Sequence, residues 1–284
     1  MKSETKLKFA PLALTGVAAA WGISFVIMKG PIERQDVNSF LATRFLLAVI
    51  LMILVRPNVL RKFNWEIIKN GTFAGIFLGS GYLFQTFGLK HTGAAITGFI
   101  TGLYVVSTPL LAAIFLRHRI RSTTWLCVGL ATIGLGVLSL NGWSIGFGEF
   151  LVLLSAIVFG AHFVVLSQVS RNFEAYPLTI IQLATVSLLS FLISFSNGYQ
   201  APPDSGVWAA VIFTAIFASA LGFIFQTWAQ SKMSPTKAAV ILTLETPFAA
   251  LFAVWIGGEH LTIRTILGGA IMLLAMYLIV IFET

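Results

Sequence analysis

Glu245 is the only acid deep inside any apolar stretch of this chain, about ten residues into a run that starts at Pro235. A carboxyl in such surroundings can receive a substrate ammonium or a proton. It can also act as a structural group that hydrogen-bonds in its neutral form, or pair with a helix terminus or a cation. The next group is His162, also within an apolar run. Its imidazole suits proton relay or donation to a carboxylate, and equally a plain bond to a neighbouring helix. Thr97, Thr101, Tyr104 and Thr108 follow at spacings of four, three and four, which places them on one helix face. Such a hydroxyl stripe lines an aqueous cavity, or it bonds back to its own helix. Tyr82 and Gln85 lie one turn apart, and Phe223 and Gln226 repeat that spacing. An amide can hold an ammonium or a carboxylate without carrying charge. Trp21 and Phe25 are four apart, as are Phe159 and Phe163, so each pair presents rings on one face for packing or for walling a pocket. Arg44 sits about one turn inside its run, where it snorkels outward or clamps a carboxylate.

These residues need elements that can hold polar groups in lipid. The chain is 57% hydrophobic and 10% charged, against about 25% charged in ordinary soluble domains. The net charge of +8 does not form one basic face, because the Lys and Arg residues lie between apolar segments. That distribution argues against nucleic acid and for a lipid bilayer as partner. One cysteine, Cys127, lies in an apolar run and supports neither a disulfide framework nor a metal cluster. The apolar run after Lys2, Lys6 and Lys8 continues past Trp21 to Met28, too long for a cleaved leader. It reads as a retained membrane helix.

About 20 apolar residues cross the hydrocarbon. The pattern predicts ten helices near 9–30, 39–55, 72–91, 93–116, 123–141, 148–169, 177–196, 207–231, 235–257 and 264–282. Gly30-Pro31, Pro57-Asn58, Asn141-Gly142, Tyr176-Pro177, Asn197-Gly198 and Ser234-Pro235 punctuate them. Trp65, Trp143 and Trp208 fall near span ends and read as interfacial anchors. With the N-terminus in the cytoplasm, 13 Lys and Arg residues fall inside and four outside, so both termini are expected on the cytoplasmic side of a cell (inner) membrane. Gly71, Gly75 and Gly79, and also Gly134 and Gly136, predict close helix contacts.

The chain is also written twice. Trp21-Gly22-Ile23-Ser24-Phe25-Val26 returns as Phe159-Gly160-Ala161-His162-Phe163-Val164 at an offset of 138. Arg44 matches Gln182 at the same offset. Phe84-Gln85-Thr86 returns as Phe225-Gln226-Thr227 at an offset of 141, where Tyr104 matches Glu245 and Leu116 to Arg121 match Gly257 to Thr262. Five helices per copy is an odd number, so the second copy enters the membrane from the opposite side. The expected fold is an all-α integral membrane protein with ten transmembrane helices as two inverted five-helix repeats, over 1–142 and 143–284. Inverted repeats place the substrate site near the midplane at their interface.

Trp21-Gly22-x-Ser24-Phe25 with Lys29, Arg44 early in the second span, Phe99-Ile100-x-Gly102-Leu103-Tyr104-Val105-Val106, Glu245-Thr246-Pro247 and Gly258-Glu259-His260-Leu261 follow one another in this order. In these features the chain resembles the EamA-type family of the drug/metabolite transporter superfamily. The resemblance covers essentially the whole chain and implies transport of small metabolites, commonly export of amino acids. One departure is Arg117-His118-Arg119, where a Gly-Glu-Arg-like ending is commoner. The residues together predict a cavity that is aromatic and hydroxyl-rich, lined by Trp21, Phe25, Tyr82, Gln85, Thr101, Tyr104, Phe159, His162, Phe163, Gln226 and Glu245. It suits neutral amino acids moved by alternating access, with no cofactor. A proton-coupled multidrug exporter relying on Glu245 is the alternative. A channel or receptor fits inverted repeats less well. A membrane-embedded enzyme fits least, because His91, His118, His162 and His260 are scattered and acids are scarce within the spans.

Overall fold

The computed structural model describes residues 2–116, 122–141 and 144–283. Expectations for Arg117, His118, Arg119, Arg121, Gly142 and Trp143 lie outside them. Nearly all of the described chain is helical: α1 Lys2–Lys29, α2 Pro31–Arg34, α3 Val37–Val55, α4 Trp65–His91, α5 Ala94–Thr101, α6 Tyr104–Leu116 and α7 Ser122–Ser139. A two-residue antiparallel bridge, Leu140–Asn141 with Ser144–Ile145, then leads into α8 Phe147–Val169 and α9 Ala175–Asn197. Next come α10 Ser205–Phe213, a π-helical stretch Thr214–Leu221, α11 Gly222–Gln230, α12 Pro235–Leu242, α13 Glu245–Trp255 and α14 Ile263–Glu283.

Among the described residues, seven helical stretches are long and apolar enough to cross a membrane: Ala10–Arg34, Val37–Val55, Ala94–Phe115, Phe147–Val169, Ala175–Ser196, Ser205–Gln230 and Pro235–Trp255. Trp125–Val137 and Ile263–Leu278 are shorter apolar helices. α4 is 27 residues long. Its glycines and polar side chains dilute its hydropathy, which a helix sandwiched between α8 and α9 tolerates because little of it faces lipid. The body is inside-out relative to a soluble fold. Leu54, Phe73, Trp125, Leu192, Phe195 and Trp255 are exposed, while Arg44, Gln85, His162, Gln182, Gln226 and Glu245 are buried. Only a lipid surrounding makes that distribution favourable.

Helix starts carry side-chain caps. Asp36 accepts from the Ser39 amide, Asn64 from Ile67, Asp204 from Val207 and Ser234 from Lys237. The Asn64 cap starts α4 seven residues before the expected position of 72. The amphipathic first turns around Glu66 and Lys69 mask its helical character in a hydropathy reading. Two residues of the family pattern are also caps. The Lys29 ammonium donates to the carbonyls of Leu89 at 2.6 Å and Thr92 at 2.7 Å, closing the end of α4. Glu259 accepts from the amides of Ala94 at 2.6 Å and Ala95 at 3.2 Å, opening α5.

Three expected single helices are interrupted. The helix expected over 93–116 breaks at Gly102–Leu103, and that over 235–257 breaks at Thr243–Leu244. These breaks are 141 residues apart, the offset of the sequence repeat. Both turn tightly: Leu103 donates to Ile100 and Thr246 donates to Thr243, each three residues back. At the second break Pro247 has no amide to offer the Thr243 carbonyl. The helix expected over 207–231 carries the π stretch. Trp65 is exposed at the start of α4 and Trp208 near the start of α10, the positions expected of interfacial rings.

Glycines let the helices meet. A Cβ on Gly71 would lie 2.7 Å from Ile181, and one on Gly75 2.6 Å from Thr185, so α4 lies flush on α9. A Cβ on Gly134 would lie 2.7 Å from Met272 of α14. Contacts also recur in pairs. Gly22 of α1 abuts Phe248 and Ala249 of α13, and Gly160 of α8 abuts Ser107 and Thr108 of α6. Gly81 abuts the Phe159 ring, and Gly222 abuts the Trp21 indole.

Candidate functional site

One cavity lies where these elements converge. α1 supplies Trp21, Ser24 and Phe25; α4 supplies Leu78, Tyr82 and Gln85; the α5–α6 break supplies Thr101 and Tyr104. α8 supplies Phe159, His162 and Phe163, α11 supplies Phe223 and Gln226, and α13 supplies Glu245. All eleven residues singled out from the sequence therefore meet in one place, joined by Ser24, Leu78 and Phe223. Phe223 was legible as the partner of Gln226 one turn away. Leu78, one turn before Tyr82, carries no polar signal that could mark it.

Every lining residue is buried. The space between them admits water over about 30 Å³, room for roughly two or three molecules.

The walls are stacked rings. Tyr104 lies on Phe163 with centroids 5.1 Å apart and planes 18° apart. Tyr82 meets Phe159 at 5.5 Å and Phe223 at 5.9 Å, edge to face. Trp21 meets Phe223 at 5.4 Å. The Trp21 indole donates to the Ala218 carbonyl at 2.8 Å, inside the π stretch. A π turn shifts its carbonyls out of α register, and Gly222 leaves room for the indole beside it.

The polar groups are shared among helices. The Gln85 amide donates to the Thr101 hydroxyl at 3.2 Å. His162 Nε2 lies 2.9 Å from Gln182 Oε1 of α9. The Tyr104 hydroxyl donates to Glu245 Oε2 at 3.4 Å, so residues at matched places in the two halves of the sequence touch. Tyr104 and Glu245 are each the first residue of the helix after a break. Gln226 Oε1 is buried and without a hydrogen-bond partner.

Two expectations are corrected. Thr97 and Thr108 do not line the cavity: their hydroxyls return to the carbonyls of Gly93 at 2.8 Å and Tyr104 at 2.6 Å. Thr97 lies one turn before Thr101 on α5 and Thr108 one turn beyond Tyr104 on α6, so the outer two of the four stand a turn away from the cavity. Arg44 does not snorkel. It is 0% exposed, because α4, the π stretch and the rings of Phe45 and Tyr82 enclose it. Among the described residues, no three His, Cys, Asp or Glu side chains are grouped to hold a metal ion.

A helical body with an apolar exterior around a buried, partly polar cavity fits a membrane transporter. A chain of known crystal structure, 15% identical, superposes with a TM-score of 0.72 over 97% of both chains, which shows the fold. The EamA-like transporter family matches residues 8–140 and again 146–281. An uncharacterized transporter of Archaeoglobus fulgidus is 31% identical over 275 residues, 96% of this chain and 86% of that one. A protein of Streptantibioticus cattleyicolor, named a probable terminal-alkyne amino-acid exporter, is 24% identical over 284 residues, 96% of this chain and 94% of that one. The chain belongs to the EamA-like transporter family.

Proposed function

We propose that this protein exports small zwitterionic or weakly polar metabolites, above all neutral amino acids, across a cell (inner) membrane. The observation that carries this reading is the cavity itself: five aromatic side chains besides two tyrosines, two amides, an imidazole and one carboxyl around a buried void. Rings suit an apolar side chain. Gln226 Oε1 and Glu245 suit an ammonium, since both accept hydrogen bonds. Nucleotides or phosphorylated sugars would require several fixed cations, and no Lys or Arg lines this void. The relative named as an amino-acid exporter supports the same substrate class.

The mechanism is alternating access between two inverted five-helix repeats, 1–142 and 143–284, forming ten transmembrane helices. Support comes from the breaks at Gly102–Leu103 and Thr243–Leu244, from the paired glycine contacts, and from the matched pair Tyr104–Glu245. In the contracted cavity the rings close on one another. Rocking of the halves separates α1 from α13 on one side, or α8 from α6 on the other, and admits substrate from one face at a time. No cofactor takes part. A proton-coupled multidrug exporter remains the second reading, because Glu245 is a buried titratable group on the cavity wall.

Purified protein in liposomes, preloaded with a neutral amino acid, tests the reading. Labelled amino acid should accumulate by counterflow without a pH gradient. If a panel of neutral amino acids gives no protein-dependent counterflow, the substrate class is wrong.

A further inference from the structure

We propose that Arg44 forms a carboxylate-binding subsite behind Tyr82, extending the central cavity by one helical turn. This inference rests on the reading of the cavity as an amino-acid site and gives that site its anion-recognising end.

Among the described residues Arg44 is the only buried cation. No carboxylate pairs with it among those residues, where the ion pairs are Arg34–Asp204 and Lys62–Glu174. One of its three guanidinium nitrogens is uncommitted. Nε donates to the Ser219 hydroxyl at 2.8 Å. Nη1 reaches the Met28 thioether at 3.1 Å, a weak acceptor. Nη2 is buried and has no acceptor at full hydrogen-bond geometry, although the Tyr82 hydroxyl interacts with the guanidinium. The guanidinium is thus held in place through Nε and Nη1, and Nη2 is the nitrogen left to grip a carboxylate once the Tyr82 ring moves.

The fork adjoins the cavity. Met28 stands one turn beyond Ser24 and Phe25 on α1, and Ser219 one turn before Phe223. Both put Arg44 on the same end of the void. The Tyr82 ring lies between them, 5.1 Å from the guanidinium carbon and facing Phe159 and Phe223 on the other side. Turning that ring aside would expose the guanidinium to the cavity.

A buried cation without an anion is costly, and a protein that needs only packing does better with an apolar side chain. Two rings relieve part of the cost. A bound carboxylate would relieve the rest. One charge suits a monoanion rather than a phosphate. The site is also one-sided: Gln182, which occupies the matched place in the second half, is spent on His162.

The test uses purified full-length protein in detergent, with sodium propionate as probe at constant ionic strength and propionamide as its neutral isostere. Propionate should raise the thermal midpoint of the parent in a concentration-dependent way, and propionamide should not. In Arg44→Met the apparent propionate affinity should fall about tenfold or more, as loss of charge-assisted hydrogen bonds implies. The unliganded variant should melt at or above the parent midpoint, an outcome that a merely structural arginine would reverse. If Arg44→Met does not fold, Arg44→Lys carries the test: it loses the fork, and its propionate affinity should fall severalfold. A parent indifferent to propionate, or a variant that binds it as the parent does, overturns the proposal. Counterflow separates this outcome from the wider reading. Amino-acid exchange without a propionate effect removes the subsite alone, and a propionate effect without amino-acid exchange removes the substrate class alone.

Discussion

Glu245 and Tyr104 face each other across the cavity, and their chemistry decides how the carrier is driven. A proton-coupled carrier needs a group whose protonation differs between its two states, because a ligand shifts an equilibrium only through differential affinity. Glu245 has a hydroxyl for its partner rather than a second acid, and His162 is bonded to Gln182. Neither arrangement offers an evident relay. Glu245→Gln keeps shape and accepts the Tyr104 bond while removing titration. We expect it to retain downhill amino-acid exchange in liposomes with no requirement for a pH gradient. Loss of gradient-driven accumulation with exchange preserved would establish Glu245 as a coupling residue instead. The rings carry a separate expectation. Trp21→Ala loses both an apolar wall and the bond to Ala218, and Tyr104→Ala loses the stack on Phe163. Each should change substrate preference or rate severalfold in counterflow while membrane yield stays near that of the parent. If both variants transport several substrates as the parent does, these rings only pack.

At the scale of elements, the broken helices do two jobs. They bring two helix N-termini to the cavity, and they let α5 cross α13 closely. Gly98 abuts the Ala249 methyl, and Gly102 abuts the Thr246 hydroxyl, which in turn bonds the Gly98 carbonyl at 3.2 Å. Nothing there can retreat cheaply, because Ala249 is itself pinned beneath Gly22. Gly98→Val should therefore destabilise the protein by about 1–3 kcal/mol, the range for overpacking. Gly16, helical and with no atom near its absent Cβ, is the control: Gly16→Ala should hold or gain about 0.5–1 kcal/mol. Thermal melts of both variants in one detergent check the pair. A Gly98→Val midpoint equal to that of the parent would mean that α5 and α13 are not locked.

For the whole molecule, the governing fact is that its surface is oil and its interior is partly polar. Orientation follows from where cations sit outside the hydrocarbon, with 13 Lys and Arg on one side and four on the other in the ten-span reading. We expect both termini in the cytoplasm. Ser3→Cys and Thr284→Cys, each tested in intact cells with an impermeant thiol reagent, should stay unlabelled until the membrane is permeabilised. Labelling of either in intact cells would break the inverted-repeat topology along with the orientation.

Much of this was written locally. Hydropathy located seven membrane-length helical stretches among the described residues, because each lipid-facing side chain is an independent transfer from water. The residues of the cavity were legible because a polar or aromatic group within an apolar run costs energy unless it has a use, and because the two copies marked the same places. The helix breaks were less legible: Pro247 signals one, yet Gly102 signals its counterpart only once Thr246 is seen pressed against it. The π stretch has no signal in Thr214–Leu221 itself; its shifted bonding is seen only where Trp21 and Arg44 reach it from other helices. Thr97 and Thr101 look alike in sequence and share α5, and packing against other helices decided which turn of that helix meets the cavity. The fate of Arg44 was likewise undecided, since burial depends on what covers a side chain. Periodicity and composition are sums over single residues, so the chain alone determined its class and its candidate residues. Partners, enclosure and the uncommitted nitrogen of Arg44 are properties of pairs of helices distant in sequence, and only the tertiary structure decided them.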